Sequence, residues 1–370
     1  GELDFPFIAP GDKRVVNIPL EQLPSDGKEY FLTLWAVTKK DSPMVPAGEK
    51  MASGQWIVRP GSTEIGQNTT GGKLTVDRKD GNIFVSGAAT SISFSESDGF
   101  MHSWISGEQE MIKSPLVPNF WRPLTDNDIP NGHLERCGVW RTAPDSLRLV
   151  KFACDETESG AVRVRASYKI RHLDVTVDLE YKVASDNSVK VDMRFVPGCR
   201  PLPELPRLGM TMALQGGYDN MKWYGRGPHE SYPDRKSSAL IGLYESKVWE
   251  QYHPYVRAQE SGNHCDVRHM SLVDNSGCGI SVAAEIPFNA GAFKFPMADL
   301  EYVPAMIERR HGGSIAEKDI VTLNIDHLMM GVGGDNTWGA RVHPEYSIMP
   351  LERSFSFVLR PVISDSHVTK

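Results

Sequence analysis

Apolar and polar residues alternate along several stretches of the chain, and this period of two predicts β-strands. From Leu173 to Glu180 every second residue is apolar, and the residues between them are polar. Successive side chains of an extended strand point to opposite faces, so one face is buried and the other solvated. The same pattern runs from Val189 to Phe195 and from Val162 to Val164. Consecutive short strands of this kind predict an antiparallel meander.

Three shorter stretches near the N-terminal end have the same character, at residues 74–76, 83–85 and 92–94. Helical signals are sparse, and the best one is a short segment from His133 to Arg141 after the breaker sequence PNG. The 33 glycines and 25 prolines mark frequent turns. Together these patterns predict an all-β protein.

A stretch without periodic apolar residues, Arg59 to Gly72, is rich in Gly, Ser, Thr and Asn and is typical of a linker. Before it stand only a few strand-like stretches, near residues 15–20, 31–37 and 55–58. An immunoglobulin-like sandwich needs about seven strands, so this segment looks like the latter part of such a domain.

We therefore expect two domains. Residues 1–61 form the C-terminal part of a small β-sandwich, and residues 62–370 form a large β-domain. Residue 1 is then an internal boundary of a longer protein, so the lack of a signal peptide gives no information about its compartment.

The charge and cysteine content exclude several classes of function. A formal net charge of -7 with scattered basic residues favours no nucleic-acid partner. No apolar run approaches the roughly 18 residues of a membrane span, so we expect no membrane partner. The absence of Cys-x-x-Cys pairs and of zinc-ligand spacing predicts free, mostly buried thiols and no metal site. The cysteines are Cys137, Cys154, Cys199, Cys265 and Cys278.

The first stretch that could carry chemistry is NFWRPLTDNDIPNG, from Asn119 to Gly132. Asp126, Asn127 and Asp128 offer oxygen ligands for a hard cation, but no EF-hand spacing follows. We favour a tight loop whose carboxylates cap backbone N–H groups and pair with Arg122.

The second stretch, WYGRGPHESYPDRKSSALIG, runs from Trp223 to Gly242. His229 could act as a proton carrier oriented by Glu230 or Asp234. However, adjacent residues of an extended chain point to opposite faces, which disfavours a pair formed by His229 and Glu230. A packed, ion-paired loop is the preferred interpretation.

The third stretch, YHPYVRAQESGNHCDVRHM, has an irregular polar middle from Arg257 to His264. Long irregular loops often bind ligands, but many are merely mobile, and the sequence leaves both interpretations open. Cys265 beside His264 could suggest a thiol nucleophile, although sequence neighbours seldom form such a dyad.

The fourth stretch, MGVGGDNTWG, combines glycines with one tryptophan, Trp338. Glycines permit backbone conformations that other residues avoid, and Asp335 and Asn336 can close turns through their side chains. Packing a core does not require such freedom. Because aromatic faces stack on the apolar face of pyranose sugars, Trp338 is a candidate for an exposed recognition residue as well as for a core residue.

The motifs FWRPLTDNDIPNG, WYGRGPHESYPDR, HPYVRAQESGNHCDVR and NIDHLMMGVGGDNTW, in this order, resemble the last domain of bacterial glycoside hydrolase family 2 β-galactosidases. Residues 1–60 resemble the latter part of the small sandwich that precedes it. The resemblance implies a large antiparallel β-supersandwich, similar to galactose mutarotase, behind a partial immunoglobulin-like β-sandwich.

The resemblance also implies a function, the retaining hydrolysis of terminal β-galactosides. In that family two glutamates on a TIM barrel do the chemistry, and this chain does not contain that barrel. We therefore expect no catalytic residue, no metal site and no cofactor here, and no activity of the chain alone. Magnesium and sodium are possible in the full-length enzyme. The expected partners are a galactoside, the rest of the polypeptide and further copies of the full-length protein, in a bacterial cytoplasm or periplasm.

By resemblance, Trp338 forms a sugar platform at the mouth of the active site, on a loop shaped by Gly334 and Asp335. Arg257 and Glu260 belong to a neighbouring loop beside the same mouth. All five are expected to contact or shape the substrate site.

Two other functions stay open. A mutarotase-like sugar epimerase would need an acid and a base, with His229, His253, His264 and Glu230 as candidates. A carbohydrate-binding module would need no catalytic group.

Overall fold

A computed structural model describes residues 1–3, 7–63, 65–67, 72–87, 90–157, 160–301, 311–336 and 338–363. The chain divides into two compact units, Gly1–Ser62 and Thr63–Lys370. Residues 64 and 68–71 of the predicted linker lie outside the described residues.

In the first unit, strands β1 (Tyr30–Val37) and β2 (Lys50–Arg59) pair antiparallel. Both include stretches that the sequence predicts as strands. The predicted strand at residues 15–20 was wrong, because the structure has no strand there. Val15 is 96% exposed and Leu20 53% exposed, and none of the apolar residues of that stretch is fully buried in a core that would hold it in register.

The second unit contains the other strands. They are β3 (Thr75–Lys79), β4 (Asn82–Ser86), β5 (Thr90–Ser95), β6 (Met101–Ser106), β7 (Gln109–Glu110), β8 (Ile112–Asn119), β9 (Arg148–Glu156), β10 (Val162–Ile170), β11 (Val175–Val183), β12 (Val189–Pro197), β13 (Arg207–Gln215), β14 (Asn220–Gly227), β15 (Leu240–Lys247), β16 (His264–Val273), β17 (Gly279–Phe293), β18 (Ile320–Met329) and β19 (Arg353–Val362).

The long strand β17 joins two antiparallel sheets. Its residues 289–293 pair with β18, and that sheet continues through β13, β8, β6, β5 and β4 to β3. Its residues 279–283 pair with β19, and that sheet continues through β12, β11 and β10 to β9. On its other side, β17 pairs with β16, which is followed by β14 and β15.

Side chains from both sheets form one large core. Phe94 of β5 and Tyr181 of β11 belong to different sheets, and their ring centroids are 5.1 Å apart. Strands β10 to β12 alternate between buried and partly exposed residues along most of their length. The predicted period of two and the predicted all-β supersandwich are thus confirmed.

The predicted helix near residue 133 is present but short. Helix α1 (His133–Cys137) passes into a 3₁₀ turn at Gly138–Trp140. Within the described part of the chain, no helix has the length and hydropathy to span a bilayer. All five cysteines are free thiols; Cys137 and Cys265 are buried, and Cys199 is exposed.

The pairing order brings the four motifs to one edge of the molecule. Strands β8, β14 and β18 end at this edge, and β16 begins there, because each neighbour in the order runs antiparallel to the next. The loops that carry the motifs therefore lie side by side, although they are far apart in the sequence.

Candidate functional site

Trp338 lies on the loop that follows β18, and its side chain projects into solvent. It is 87% exposed, whereas Trp104, Trp140 and Trp223 are at most 1% exposed. A side chain of this size normally contributes to a core, since burying it removes a large apolar area from water. An indole that the fold leaves in solvent is therefore a candidate for binding a flat apolar ligand face.

Backbone hydrogen bonds to a side chain shape the tip of this loop. The Oδ1 atom of Asn336 accepts from the backbone N–H groups of Trp338 at 2.9 Å and Ala340 at 3.3 Å. A Cβ atom on Gly334 would lie 2.6 Å from the carbonyl oxygen of Ala340, so only glycine fits. Thr337, between Asn336 and Trp338, lies outside the described residues.

Asp335, the other predicted turn residue, has a different role. Its carboxylate lies 2.8 Å from Nε2 of His343, and both side chains are at least half exposed. The hydrogen bond to Asp335 raises the pKa of His343 above its usual value. This exposed pair connects the loop tip to the segment that follows it.

Asp234, from the second motif, anchors the start of the loop. Its carboxylate accepts from the backbone N–H groups of Val332 at 3.0 Å and Gly333 at 2.7 Å. Because a charged acceptor forms strong hydrogen bonds, this carboxylate fixes the orientation of the peptide groups that carry both N–H donors. The sequence offered Asp234 as a possible partner of His229, and the structure gives it a structural role.

The first motif holds the same stretch from the other side. Arg122 donates to the carbonyl oxygen of Gly331 at 3.0 Å, and Asn127 donates to that of Val332 at 3.0 Å. Arg122 is fully buried and also pairs with the Asp128 carboxylate, which accepts from the backbone N–H of Thr125 at 2.8 Å.

The arrangement around Asp128 confirms the predicted capped and ion-paired loop. Burial opposes ionisation of this carboxyl, but the adjacent Arg122 outweighs burial and holds its pKa below the usual value. The described residues contain no group of three or more His, Cys, Asp or Glu side chains placed to hold a metal ion.

The third motif contacts the first through Asp126. Gln259 accepts from the backbone N–H of Asp126 at 3.1 Å and donates to its carboxylate at 2.9 Å. Nε of Arg257 lies 3.4 Å from the same carboxylate. The predicted site residue Arg257 is therefore part of a surface network that joins two loops.

Glu230 ties the end of this loop to the second motif. It accepts from the backbone N–H of Gly262 at 2.7 Å, from the hydroxyl of Tyr255 and from the guanidinium of Arg235. With three donors already bound, the carboxylate serves as an anchor between the two motifs.

Glu260 does not lie on the loop surface, unlike the residue that the resemblance implies. Its carboxylate is 3.3 Å from Arg207 and accepts from the Tyr232 hydroxyl at 3.3 Å, with no exposed side-chain surface. Arg207 also lies 3.4 Å from the carboxylate of Asp326, which is equally buried. Burial raises the pKa of Glu260 and raises that of Asp326 to about 7. Glu260 therefore anchors the loop to the interior of the protein, through its contacts with Arg207 and Tyr232.

His264 and Cys265 do not form a catalytic dyad. The ring nitrogens of His264 contact the carbonyl of Arg226 at 3.1 Å and the side chain of Gln251 at 2.7 Å. The thiol of Cys265 donates to the carbonyl of Ser231 at 3.3 Å. Burial lowers the pKa of His264 to about 4 and raises that of Cys265 to about 12, so both are neutral near pH 7.

The structure thus brings Trp338, Gly334 and Asp335 together on one loop, with Arg257 on a neighbouring loop. The sequence did not identify the anchors Asp234, Arg122 and Asn127 as parts of this site. Their motifs stood out, but only the strand order reveals that they meet residues about one hundred to two hundred positions later. This arrangement can bind a flat apolar face.

Two family models match this chain. Residues 86–359 match the model described as the beta-galactosidase small chain, and residues 1–59 match the model described as beta-galactosidase domain 4.

Individual relatives give a consistent result. A beta-galactosidase from Halalkalibacterium halodurans is 32% identical over 95% of this chain and 34% of that protein. A beta-galactosidase from Priestia megaterium is 29% identical over 95% of this chain and 33% of that protein. The chain thus spans about a third of the length of the relatives it matches.

Similar solved structures include an aldose epimerase homologue from C. elegans. It has 9% sequence identity and a TM-score of 0.42, and the match covers 77% of this chain and 99% of that chain. A galactose mutarotase related enzyme from Lactobacillus acidophilus has 7% identity and a TM-score of 0.41, over 77% of this chain and 98% of that chain.

Proposed function

Because this chain belongs to the beta-galactosidase small-chain family, we propose that it supplies one wall of the substrate site of a retaining β-galactosidase. The enzyme would hydrolyse terminal non-reducing β-D-galactose residues, the reaction that the names of its relatives indicate. The chain would do so together with protein that makes up the rest of those relatives' length.

The exposed indole of Trp338 is the observation that carries this proposal. It is 87% exposed on a loop whose start is fixed by Asp234, Arg122 and Asn127. A rigid aromatic face binds the apolar face of a pyranose without first losing conformational freedom. The loop therefore has the properties of a sugar platform.

In this proposal the catalytic carboxylates come from the rest of the enzyme. Retaining hydrolysis uses two carboxyl groups about 5–5.5 Å apart on opposite sides of the scissile bond. Near the Trp338 loop, Glu230, Asp234 and Asp128 each hold backbone N–H groups or arginine side chains. These carboxylates stabilise loops of the fold. We assign neither a catalytic residue nor a cofactor to this chain.

The first unit supports a partnership with further protein. Trp35 and Trp56, on paired strands β1 and β2, are 45% and 55% exposed. Exposed tryptophans on a small sheet are typical of a surface that other protein covers. We propose that the rest of the polypeptide covers it, and that the full enzyme forms a homo-oligomer.

A chromogenic galactoside assay tests whether the catalytic carboxylates come from the rest of the enzyme. The chain alone should show no turnover above a buffer control, whereas the full-length protein should hydrolyse the substrate. Turnover by the isolated chain at a rate comparable to that of the full-length protein would contradict the proposal.

The role of Trp338 is tested by Trp338→Ala in the full-length protein. Loss of an aromatic stacking contact worth about 0.5–1.5 kcal/mol should lower kcat/KM by roughly two- to tenfold. Leu243→Ala, at an apolar position of the same unit that is 78% exposed, serves as the control. Unchanged kcat/KM in the Trp338 variant would remove the sugar platform from the proposal.

A sugar epimerase is a second candidate, because one pocket of about 420 Å³ is lined by His229, Glu230 and His253. However, Glu230 is engaged by three donors, and the other carboxylate of the pocket, Glu250, accepts from the backbone N–H of Lys247 at 2.9 Å. We therefore expect no acceleration of α-galactose mutarotation in polarimetry. Clear acceleration by the chain would favour the epimerase.

A further inference from the structure

The tripeptide Asp126–Asp128 of the first motif connects the third motif to the start of the Trp338 loop. Its Asp128 end is fixed in the interior, where the Asp128 carboxylate pairs with the buried Arg122 and accepts from the backbone N–H of Thr125 at 2.8 Å. Arg122 in turn donates to the carbonyl oxygen of Gly331 at 3.0 Å. One end of the tripeptide is therefore held by the same buried arginine that holds the loop.

The middle residue of the tripeptide contacts the Trp338 loop directly. Asn127 donates to the carbonyl oxygen of Val332 at 3.0 Å, and the side chain of Val332 packs with Tyr232 and Met329 in a small apolar cluster. A contact of this kind positions its target only as well as the contacting side chain is itself positioned. The orientation of the Val332 peptide group therefore depends on how the two neighbours of Asn127 are held.

The Asp126 end of the tripeptide lies nearer the surface and is held by the third motif. Gln259 accepts from the backbone N–H of Asp126 at 3.1 Å and donates to its carboxylate at 2.9 Å. The Asp126 side chain is 57% exposed, whereas Gln259 is only 8% exposed. Because the amide of Gln259 donates and accepts on the same residue, it fixes the backbone and the side chain of Asp126 together.

We propose that Gln259 is a positioning residue for the sugar platform and acts on the Trp338 loop through Asp126 and Asn127. Within the described part of the chain, its side-chain hydrogen bonds go to Asp126 and to the carbonyl oxygen of Arg257. Its effect on the loop is therefore transmitted by the tripeptide. The consequence for catalysis rests on the proposed hydrolase function, whereas the coupling of the two loops does not.

Amide hydrogen exchange of this chain, followed by mass spectrometry, tests the coupling without any activity measurement. Gln259→Ala should speed exchange in residues 330–334 about tenfold, because the Asp126 end of the tripeptide is then released. Gln215→Ala is the matched control and should leave these amides unchanged. Gln215 ends β13 and donates to the carbonyl of Ile112. Unchanged exchange in the Gln259 variant, or equal changes in both variants, would overturn the proposal.

A compensating substitution shows whether the effect passes through Asp126. Gln259→Glu replaces the amide donor with a carboxylate that faces the Asp126 carboxylate, so exchange in residues 330–334 should rise as it does in Gln259→Ala. Adding Asp126→Asn supplies a donor opposite the new acceptor and should return exchange to within about twofold of the unmodified chain. A double variant that exchanges as fast as Gln259→Glu alone would contradict the proposed route.

Kinetics of the full-length protein test the consequence for the proposed function. Gln259→Ala should lower kcat/KM for a chromogenic galactoside about threefold, but less than about 1.5-fold when Trp338→Ala is already present, because the platform is then gone. Equal factors in both backgrounds would overturn the positioning role. If the unmodified full-length protein does not hydrolyse the galactoside, the hydrolase function is refuted, and hydrogen exchange still decides the coupling of the loops.

Discussion

At the scale of single residues, Trp338 differs from the buried tryptophans in what it does for the fold. Trp104 is fully buried, and its indole N–H donates to the hydroxyl of Thr90 at 3.0 Å. Trp338 leaves most of its surface in water, so the folded state gains little from its size. The size of this side chain therefore contributes little to the core.

This difference predicts opposite effects of truncation. Trp338→Ala should change the free energy of unfolding by less than about 0.5 kcal/mol, as expected for an exposed position. Trp104→Ala should cost about 3–5 kcal/mol through the lost burial and the remaining cavity. Urea unfolding of the chain and both variants measures this. A large loss of stability in Trp338→Ala would mean that the indole packs against the protein.

Single residues also show what could be derived from the sequence. The pairing of Arg122 with Asp128 was predictable, because arginine and carboxylates within one tight loop have few other partners nearby. The burial of Glu260 was not predictable. In an irregular loop no period fixes the direction of a side chain, and Glu260 turns inward to meet Arg207 and Tyr232 from other parts of the chain.

At the scale of elements, the Trp338 loop is held mainly at its start. Asp234 fixes that start, since it binds two consecutive N–H groups there.

Asp234→Asn should loosen the loop without unfolding the chain. Loss of the charged acceptor should speed amide hydrogen exchange at Val332 and Gly333 about tenfold or more, because hydrogen bonds to charged groups contribute about 1.5–3 kcal/mol. Asp335→Asn, which breaks only the exposed contact to His343, is the matched control and should leave these amides unchanged. Equal exchange in both variants would contradict an anchoring role.

A glycine pair tests the tight backbone contact at the loop tip. Gly334→Ala places a Cβ atom 2.6 Å from the carbonyl oxygen of Ala340, whereas Gly217→Ala meets no atom within 4 Å. We expect Gly334→Ala to cost about 1–3 kcal/mol or to displace the loop, and Gly217→Ala to stay within about 0.5 kcal/mol. Thermal unfolding and a crystal structure of the Gly334 variant would reveal either result.

Strands differed in how well the sequence predicted them. The alternation in β11 and β12 was clear, since each has one buried and one partly exposed face. The stretch at residues 15–20 has a similar apolar pattern but forms no strand. Pattern alone identifies a segment that is able to pair, and a strand forms only when a partner and a core are available.

At the scale of the whole molecule, the meeting of the two sheets at β17 could not be predicted from the sequence. Both faces of this strand carry many buried residues, so it lacks the clear alternation of its neighbours. The convergence of four motifs at one edge follows from the pairing order, which no local pattern contains. The resemblance supplied the architecture that periodicity could not.

The buried carboxylates should make the stability of the molecule depend on pH. The folded chain retains a proton on Asp326 up to about pH 7, whereas the unfolded chain releases it near the ordinary value of 3.8. Stability should therefore fall as pH rises through this window, by on the order of 2 kcal/mol between pH 5 and 8. Burial raises the pKa of Glu260 too, which adds in the same direction.

Urea unfolding at pH 5 and pH 8 tests this linkage. Asp326→Asn removes the titrating group and should lose less stability over this range than the unmodified chain. Glu245→Gln, which alters an exposed pair with Lys222, should keep the original slope. An identical slope in the Asp326 variant would show that this carboxyl is already ionised at pH 5.

The positions of the anchors of the Trp338 loop in the sequence also determine when this loop can form during synthesis. Arg122 and Asp234 are translated long before Val332 and Gly333, and their contacts close 209 and 98 to 99 residues of intervening chain. Closing so many residues of chain costs conformational entropy. The strands that lie between the two contact partners must therefore pair before these hydrogen bonds can form. During synthesis the Trp338 loop can therefore be fixed only after both anchors are in place, and β19, which pairs with β12 and β17, is translated after it.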